Sequence, residues 1–524
     1  MSLPASIAAY GWIPFLGALA VILLFSTFFI RHHQSSNEYE TSSSIVAVFA
    51  LVLTLSTSAL LPLDVFLVSW MKTANGTFQD WAQNSTDRQE LESDVMTAYY
   101  ALYGTITLTT FLLLPLAYFY YEERDDDRPW RPRLFNAMKY AIGFVVLAGI
   151  ILLTGAFIPL NDPVSGNGTV WDDLRIIVQS FEKNGGQDAI SFMVSILCVI
   201  GMLFNALYTG FGMASWPVNM MRGSRSIRHQ YEDVVARRAE IRRELTVANS
   251  RLYPNLRNRE IQERERLLAR QERELEPAAR SRVRAFLGNA WRPFQILLGF
   301  SMFLLAGLIA VSLLLTNIDK AMHSHMRFGY ILPRQNRTLP NPIDWVLVKS
   351  QQLFPLDFIF YGMTVAFLLF VTVMAVKDLG LRCFCVRLFR FRPHGTRPQG
   401  ILFLCFILTF SVLGLNVISY FLSPQYSTFG SQHYRPYVEE FENLASYTDA
   451  ELKPCEEGAI DCEMTRNSYF LVCYFFKAWF FGACYYWLSW GILVFYVIGL
   501  LYSLARRARG AAEEAEEDSY DDLE

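Results

Sequence analysis

The sequence predicts an all-α, polytopic integral membrane protein with about nine transmembrane helices and a cytosolic helical hairpin between spans 5 and 6. Of its 524 residues, 52% are hydrophobic and only 18% are charged, which is a low charged fraction for a soluble protein. The apolar residues are concentrated in long runs that are separated by polar loops. Because about 20 helical residues cross about 30 Å of hydrocarbon, these runs predict membrane spans.

Nine apolar runs are long enough to cross a bilayer. They are Trp12–Ile30, Ile45–Trp70, Met96–Tyr121, Phe135–Leu160, Ile190–Pro217, Phe294–Thr316, Phe354–Val376, Gly400–Leu422 and Phe481–Leu504. The first run is interpreted as a retained span, because no basic stretch precedes it and no Ala-x-Ala cleavage spacing follows it. The last apolar region begins near Tyr469, so a re-entrant segment or a tenth span is the alternative to nine.

The distribution of positive charge predicts a luminal amino terminus and a cytosolic carboxyl terminus. With that orientation, and with Lys139 counted as cytosolic, 33 of the 46 Lys and Arg residues lie on the cytosolic side, as the positive-inside rule requires. Four glycosylation sequons lie on the opposite side, at Asn75, Asn84, Asn167 and Asn336. Since sequons are modified only in the lumen, these positions support the same orientation.

Only two of the eight cysteines, Cys455 and Cys462, lie in a long loop that is predicted to be luminal. An oxidising compartment favours one small disulfide loop between them. Two free luminal thiols are the alternative.

The predicted domains are 1–217 with spans 1–5, 218–293 as a cytosolic basic hairpin, 294–504 with spans 6–9, and 505–524 as a cytosolic acidic tail. The segment Arg222–Arg292 carries 18 arginines, no lysine and 10 acidic residues. Two runs of apolar residues have the spacing expected at the seam of an antiparallel helical hairpin, and Pro254 lies between the runs. The first run is Val234, Ile241, Leu245, Ala248 and Leu252, and the second is Ile261, Leu268 and Leu275. Its basic face could bind anionic membrane lipids, or it could be an ordinary solvated face. No motif for nucleic acid accompanies the charge.

The acidic tail ends in a tyrosine-based pattern, Tyr520-Asp-Asp-Leu523. A tyrosine three residues before a bulky apolar residue is typical of endolysosomal sorting signals, in which an extended peptide binds an adaptor. Tyr520 and Leu523 are therefore candidate contacts with clathrin adaptor complexes. The strings beginning at Tyr231 and Glu263 also fit sorting patterns, although Leu268 is better explained as a seam residue.

Three polar residues occur at similar depth in the apolar runs, and each follows Pro-Leu. They are Asp64, Asn161 and Asp357. Burying an unpaired carboxylate in a membrane is costly, so such residues are candidates for function, and proline-opened helices are common at membrane binding sites. We expect the three to face one vestibule near the luminal leaflet. The alternative is that the acids cap helix ends or face interfacial water.

The sequence contains no enzymatic motif. It has no Gly-Lys dipeptide, and therefore no phosphate loop of the Walker A type, and it has no His-Glu-x-x-His zinc motif. We predict no enzyme activity, no metal site and no tightly bound cofactor. Any work driven by ATP would require a partner.

Several short strings together resemble the limb-region membrane protein family, specifically its lysosomal cobalamin transport members. They are Glu122–Asp127, Asn75–Trp81, Thr396–Gln399, Ser423–Tyr426, Gly430–Gln432, Thr316–Lys320 and the two Pro-Leu-Asp strings. The resemblance covers nearly the whole chain. It implies a nine-span lysosomal membrane protein that is required for export of cobalamin (vitamin B12) from the lysosome lumen to the cytosol, with cobalamin as cargo and an ABC half-transporter as partner.

Two classes of function are therefore open. The chain is either a component of cobalamin export or a membrane receptor or trafficking adaptor that recruits partners through its cytosolic loop and tail. The intramembrane acids favour the first, whereas the sorting patterns and the hairpin favour the second. Residence in the plasma membrane or endosomes during trafficking, and a homo-oligomer, are left open by the sequence.

Overall fold

The computed structural model of the chain is almost entirely helical. It describes residues 5–35, 40–73, 75–124, 130–157, 187–222 and 227–249, parts of 261–276, and residues 282–330, 338–353, 355–383, 386–389, 395–434, 452–455, 462–472 and 478–505. The predicted fold class, a polytopic all-α membrane protein, is confirmed by the number of long apolar helices.

Thirteen helices are named here in chain order. They are α1 (Ala5–His33), α2 (Thr41–Trp70), α3 (Ser85–Glu122), α4 (Trp130–Phe157), α5 (Gln187–Phe204, continued by Gly210–Arg222), α6 (Ile227–Asn249), α7 (Arg282–His323), α8 (Pro342–Ser350), α9 (Leu356–Leu379), α10 (Pro398–Leu422), α11 (Pro424–Phe429), α12 (Arg466–Phe470) and α13 (Trp479–Ala505). The described part of the chain also contains two short antiparallel strand pairs, β1 (Leu381–Cys383) with β2 (Val386–Phe389) and β3 (His433–Tyr434) with β4 (Lys453–Pro454), and 3-10 helices at Asp80–Ala82, Met326–Phe328 and Gln351–Leu353.

Eight helices in the described part of the chain are long and apolar enough to cross a membrane. They correspond to predicted spans 2 to 9. The first predicted span lies in α1, which has 29 residues and of which Gly17–His33 forms a shorter apolar helix. Nine spans therefore stay the prediction. The region near Tyr469 contains α12, Arg466–Phe470, and residues 473–477 lie outside the described part of the chain, so the re-entrant segment and the tenth span stay alternatives.

Several helices extend beyond the predicted spans. α3 has 38 residues, but about 20 residues suffice to cross the hydrocarbon, so its charged first turns precede the span predicted to begin at Met96. α7 has 42 residues and continues through Pro293, where a boundary between hairpin and span was predicted. Proline removes one backbone hydrogen bond, and here the helix continues despite that loss.

The chain forms two compact units, Met1–Gly212 with Leu308–Tyr496, and Met213–Gly307 with Val497–Glu524. In the first unit, α10 is the central helix and packs against α2 and α5. In its most apolar window 89% of the residues are buried, compared with 17% for α4. An apolar helix that exposes most of its surface has lipid as its natural surroundings. α10 is therefore buried by protein, whereas α4 is exposed to the bilayer.

Two glycines allow α10 and α5 to cross closely. A Cβ atom on Gly414 of α10 would lie 2.6 Å from the carbonyl carbon of Gly201 in α5. Contacts of that length are far shorter than the ordinary separation of carbon atoms. The crossing therefore requires glycine, as is common where membrane helices approach backbone to backbone.

The second unit contains α6, which packs against a helical segment beyond residue 260. Val234 and Ile241 of α6 are buried together with Leu268, and Ile261 packs against them. These residues belong to the predicted seam of the hairpin. Arg238 pairs with Glu265 and Glu272, and Arg242 pairs with Glu265. Burial alone would raise the pKa of Glu265, but hydrogen bonds from Arg242 and Arg238 lower it overall.

The predicted orientation makes an experiment possible. We expect glycosidase to reduce the apparent mass of the expressed protein, because Asn75 and Asn84 are exposed on the side predicted to be luminal. Protease added to intact vesicles should remove a carboxyl-terminal tag and leave the sequon-bearing loops intact. A matched variant with Asn75→Gln and Asn84→Gln should show a smaller shift. A tag that resists protease until detergent is added would contradict an odd number of spans.

Candidate functional site

Asp64 is a buried hydrogen-bond acceptor in α2, two residues after Pro62. Its side chain is 1% exposed. The Tyr99 hydroxyl donates to Oδ2 at 3.2 Å, and the backbone amides of Asn467 and Arg466 donate to Oδ2 and Oδ1 at 2.8 and 3.2 Å. These two amides open α12 and have no partner within that helix. Asp64 therefore attaches α12 to a membrane helix.

Asp357 lies in the first turn of α9 and is equally buried, at 2% exposure. The Tyr426 hydroxyl donates to its Oδ2 at 2.9 Å. Among the described residues, no group donates to Oδ1. A buried carboxylate oxygen without a donor is uncommon and usually marks a functional or strained position.

The structure brings Asp64 and Asp357 into one cluster. The rings of Phe66 and Phe358, which follow the two acids, have centroids 5.2 Å apart. Tyr361 of α9 stacks edge-on against Tyr426 with the ring centroids 5.5 Å apart. We call Asp64, Tyr99, Tyr361, Tyr426 and Asp357 the carboxylate–tyrosine cluster. Both acids are buried in protein, and a vestibule that they share stays a prediction.

A second layer of polar side chains lies beside this cluster. Tyr103 is 5.7 Å from Tyr99 between ring centroids and accepts a hydrogen bond of 2.7 Å from Nδ2 of Asn416 in α10. Asn205 of α5 donates to the Ser411 carbonyl at 2.9 Å. Neither asparagine is ionisable or follows Pro-Leu, the two features that pointed to Asp64, Asn161 and Asp357, so sequence patterns missed both. An uncharged amide in the middle of an apolar span was the signal that could have found them.

The cluster can hold protons and hydrogen bonds, but it does not have the composition of a metal site. In the part of the chain that the structure describes, no group of three or more His, Cys, Asp or Glu side chains could hold a metal ion. Hydrogen bonds to Asp64 join α2 with α3 and α12, and the bond from Tyr426 to Asp357 joins α11 with α9. Such a network fixes one arrangement of helices, because each broken bond would leave a polar group buried.

Four charged residues, Arg88, Glu92, Glu463 and Arg466, form two ion pairs. Arg88 and Glu92 belong to the first turns of α3, which precede its predicted span. Arg466 Nη2 is 2.9 Å from Glu92 Oε1, and Arg88 Nε is 3.2 Å from Glu463 Oε1. We call these residues the charge cluster. Burial raises the pKa of Glu92 to about 7, and a hydrogen bond with the Glu463 carboxyl adds to the rise, whereas the Arg466 and Arg88 guanidiniums oppose it.

The structure joins Cys455 and Cys462 in a disulfide, with Cα atoms 5.8 Å apart. The Lys72 ammonium lies 3.9 and 4.0 Å from the two sulfur atoms and donates to the His433 carbonyl at 3.2 Å. Asn84 caps α3 by accepting the Thr86 amide. A glycan on Nδ2 would leave that Oδ1 acceptor unchanged.

Several predicted site residues lie outside the described part of the chain. They are Asn161, Asn167, Asn336, Tyr520 and Leu523. The vestibule shared by three polar residues, glycosylation at all four sequons and the sorting motif of the tail stay predictions.

A model of the family described as LMBR1-like membrane protein matches residues 12–276, which contain Asp64 and Tyr99. The chain belongs to the LMBR1-like membrane protein family. The predicted resemblance to the limb-region family is confirmed by this match. No solved structure matches the chain.

Curated relatives align with this LMBR1-like protein over almost its whole length. A probable lysosomal cobalamin transporter from Nematostella vectensis is 37% identical over 543 residues, covering 100% of this chain and 98% of the relative. The lysosomal cobalamin transport escort protein LMBD1 of Mus musculus is 37% identical, with 99% and 98% covered. The protein of that name from Danio rerio is 36% identical, with 98% and 97% covered.

Proposed function

We propose that this chain is a lysosomal membrane protein required for export of cobalamin from the lysosome lumen to the cytosol. The observation that carries the proposal is the end-to-end identity of 36–37% with relatives that are named for this transport. Alignment over 98% or more of this chain includes the membrane helices, the hairpin and the loops that connect them.

The buried polar cluster supports a role in transport. Asp64 and Asp357 lie inside apolar helices, where carboxylates are rare and usually functional. Hydrogen bonds to these two acids connect α2 with α3 and α12, and α9 with α11. We infer that the cluster maintains the helix arrangement through which the chain handles cargo or holds a transporting partner.

The ATP-dependent step is assigned to a partner. The sequence has no phosphate loop, and a second relative's name describes an escort of transport. An ABC half-transporter provides the ATP chemistry that this sequence lacks. We therefore propose that the chain acts with such a half-transporter in the lysosomal membrane.

Reconstitution tests the proposal. The purified chain is placed in vesicles that contain labelled cobalamin, with the half-transporter, without it, or with the half-transporter alone. We expect ATP-dependent efflux to be greatest with both proteins, while a labelled sugar retained in the same vesicles controls for leakage. Equal efflux from the half-transporter alone, both in vesicles and in lysosomes of cells lacking this chain, would refute the proposal.

Delivery to lysosomes is proposed to use the tail. Tyr520 and Leu523 are the two side chains that an adaptor would bind in a tyrosine-based sorting peptide. Tyr520→Ala should add glycosylated protein to the cell surface, measured by surface biotinylation, and Tyr502→Ala in α13 is the matched control. The half-transporter could provide a second route, so the comparison is repeated in cells lacking it. An unchanged surface pool there would assign sorting to another segment.

Recruitment of cytosolic partners is the second candidate function. The specific observation is the hairpin, which buries Val234, Ile241 and Leu268 in a small core of its own. A helical hairpin with a closed core presents a fixed outer face, which is suited to binding a protein or anionic lipids. Charge reversal at the exposed Arg237 and Arg243 should reduce such binding in vesicle flotation while cobalamin efflux from loaded lysosomes stays normal.

A further inference from the structure

The short helix α8 is fixed in the first unit by its inner face. Ile343 and Leu347 are 1% and 0% exposed. Asp344 accepts hydrogen bonds from the backbone amides of Gln425 and Tyr426, at 3.1 and 2.9 Å, in the first turn of α11. These contacts determine which side of α8 faces the protein. They therefore also determine which side faces outward.

The outward face of α8 carries a tryptophan and a lysine. Trp345 is 60% exposed, and Lys349 is exposed one turn later. Residues four apart lie on the same face of a helix, and Lys349 Nζ lies 5.9 Å from the centroid of the Trp345 ring. Tryptophan is enriched at the boundary between lipid and water, and a lysine at that boundary extends its ammonium toward the headgroups. The pair therefore has the chemistry of a membrane surface contact.

The exposed face of α9 follows α8 in the chain. Leu356, Ile359, Met363 and Phe370 are 49%, 49%, 55% and 39% exposed, and their spacing places them on one face of the helix. All four are apolar, and α9 is long and apolar enough to cross a membrane. An exposed apolar face on such a helix has lipid as its natural surroundings.

The exposed residues of α8 and α9 are connected through Leu353. This residue is 66% exposed and ends the 3-10 helix Gln351–Leu353, three residues before Leu356. Lys349 is the last charged residue before Leu356, so the polar side of the boundary begins at α8. The continuity with the lipid-facing surface of α9 favours lipid, over water or another protein, as the surroundings of Trp345.

We propose that α8 is an interfacial helix that binds phospholipid of the leaflet predicted to be luminal, with Trp345 among the headgroups and the Lys349 ammonium paired with a lipid phosphate. The positive charge of Lys349 should favour anionic phospholipid about fivefold. Asp344 in the same helix caps α11, whose Tyr426 hydroxyl donates to Asp357. Bound lipid therefore stabilises a helix that is one contact away from the carboxylate–tyrosine cluster.

Fluorescence quenching of the full-length protein in nanodiscs tests the lipid contact. The nanodiscs contain phosphatidylcholine that is brominated in its acyl chains near the headgroup, and the emission lost in Trp345→Phe is the emission of Trp345. We expect bromine to quench it about as strongly as the emission lost in Trp487→Phe, because Trp487 is 59% exposed in the span α13. Trp81→Phe is the matched control, since Trp81 is half-buried in the 3-10 helix Asp80–Ala82, and its emission should be little quenched.

Competition by a second lipid tests the role of Lys349. Unbrominated phosphatidylglycerol is mixed into the brominated phosphatidylcholine, and the relief of Trp345 quenching gives the relative affinity of the site for the two lipids. Lys349→Gln should reduce the preference for phosphatidylglycerol about fivefold. Lys453→Gln is the matched control, because Lys453 is an exposed lysine in β4, and it should leave the preference unchanged.

The proposal is refuted if brominated lipid does not quench the emission of Trp345. Quenching by aqueous iodide alone would then place α8 in water, and protection from both quenchers would place a protein over it. An unchanged lipid preference in Lys349→Gln would refute the pairing with phosphate. If Trp345→Phe does not accumulate, Trp345→Tyr provides the same comparison. The inference goes beyond the proposed function, and neither measurement involves cobalamin, so the lipid contact and cobalamin export can fail separately.

Discussion

Asp64→Ala should destabilise the attachment of α12 more than any other substitution of an acid in the membrane helices. The variant leaves the Tyr99 hydroxyl and the amides of Arg466 and Asn467 without their acceptor. Each buried donor left unsatisfied costs about 1–3 kcal/mol, and water reaching the opened segment would recover part of that. We therefore expect a loss of about 3–5 kcal/mol in local stability, measured as faster amide exchange in 466–468.

Asp357→Ala is the matched control for this prediction. It removes a carboxylate of equal size and similar burial, but only the Tyr426 hydroxyl loses a described partner. The expected loss is about 1–2 kcal/mol. Asp64→Asn should lie between the two, because it keeps one carbonyl oxygen as an acceptor. Equal damage from Asp64→Ala and Asp357→Ala would contradict the assignment of Asp64 as the anchor of α12.

The spans could be predicted because one physical constraint dominates them. A run of about 20 apolar residues that crosses lipid is expected to be helical, because only a helix gives every backbone N–H and C=O group of one segment a hydrogen-bond partner. The predicted span Gly400–Leu422 therefore agrees closely with α10, and Phe481–Leu504 with α13. The ends of the helices were less predictable. The predicted span ended at Thr316, but α7 continues to His323. Asn317 and Lys320 in this extension are buried by other parts of the protein, and the local sequence gives no signal for such contacts.

The two Pro-Leu-Asp strings were recognisable, but the chemistry around them was not. Sequence patterns identified Asp64 and Asp357 as unusual and suggested their common depth. The groups that bind Asp64 come from Tyr99, 35 residues away, and from Asn467, 403 residues away. A single sequence contains no signal for partners so far apart. The role of Asp64 at the start of α12 therefore required coordinates.

The hairpin shows what heptad patterns can and cannot predict. Val234, Ile241 and Leu268 were placed on a seam by their spacing, and they are buried together. The same spacing does not specify which charges pair across the seam. Arg238 contacts both Glu265 and Glu272, so part of the arginine excess neutralises the hairpin's own acids.

The charge cluster and the carboxylate–tyrosine cluster meet at one short stretch of backbone. Arg466 uses its amide for Asp64 and its guanidinium for Glu92. Arg466 therefore connects the charge cluster to the contact by which Asp64 caps α12.

Gly414→Ala is expected to disrupt the centre of the membrane domain. The added Cβ would lie 2.6 Å from both the Gly201 carbonyl carbon and Asn205 Nδ2, and 2.7 Å from the Met202 amide nitrogen. Two of these three neighbours are backbone atoms in α5, which cannot rotate away, so α5 and α10 must separate. Overpacking of this kind costs about 1–3 kcal/mol or more.

Separating these helices would also lengthen the buried hydrogen bond from Asn205 Nδ2 to the Ser411 carbonyl, which is 2.9 Å long. The longer bond would be weaker. We expect a lower thermal midpoint of the purified protein and a smaller fraction with mature glycans. Gly104→Ala is the matched control, since a Cβ there meets nothing within 4 Å and alanine is the better helix former by about 1 kcal/mol. It should be neutral or mildly stabilising. If both variants melt at the wild-type temperature, α5 and α10 do not cross at these glycines.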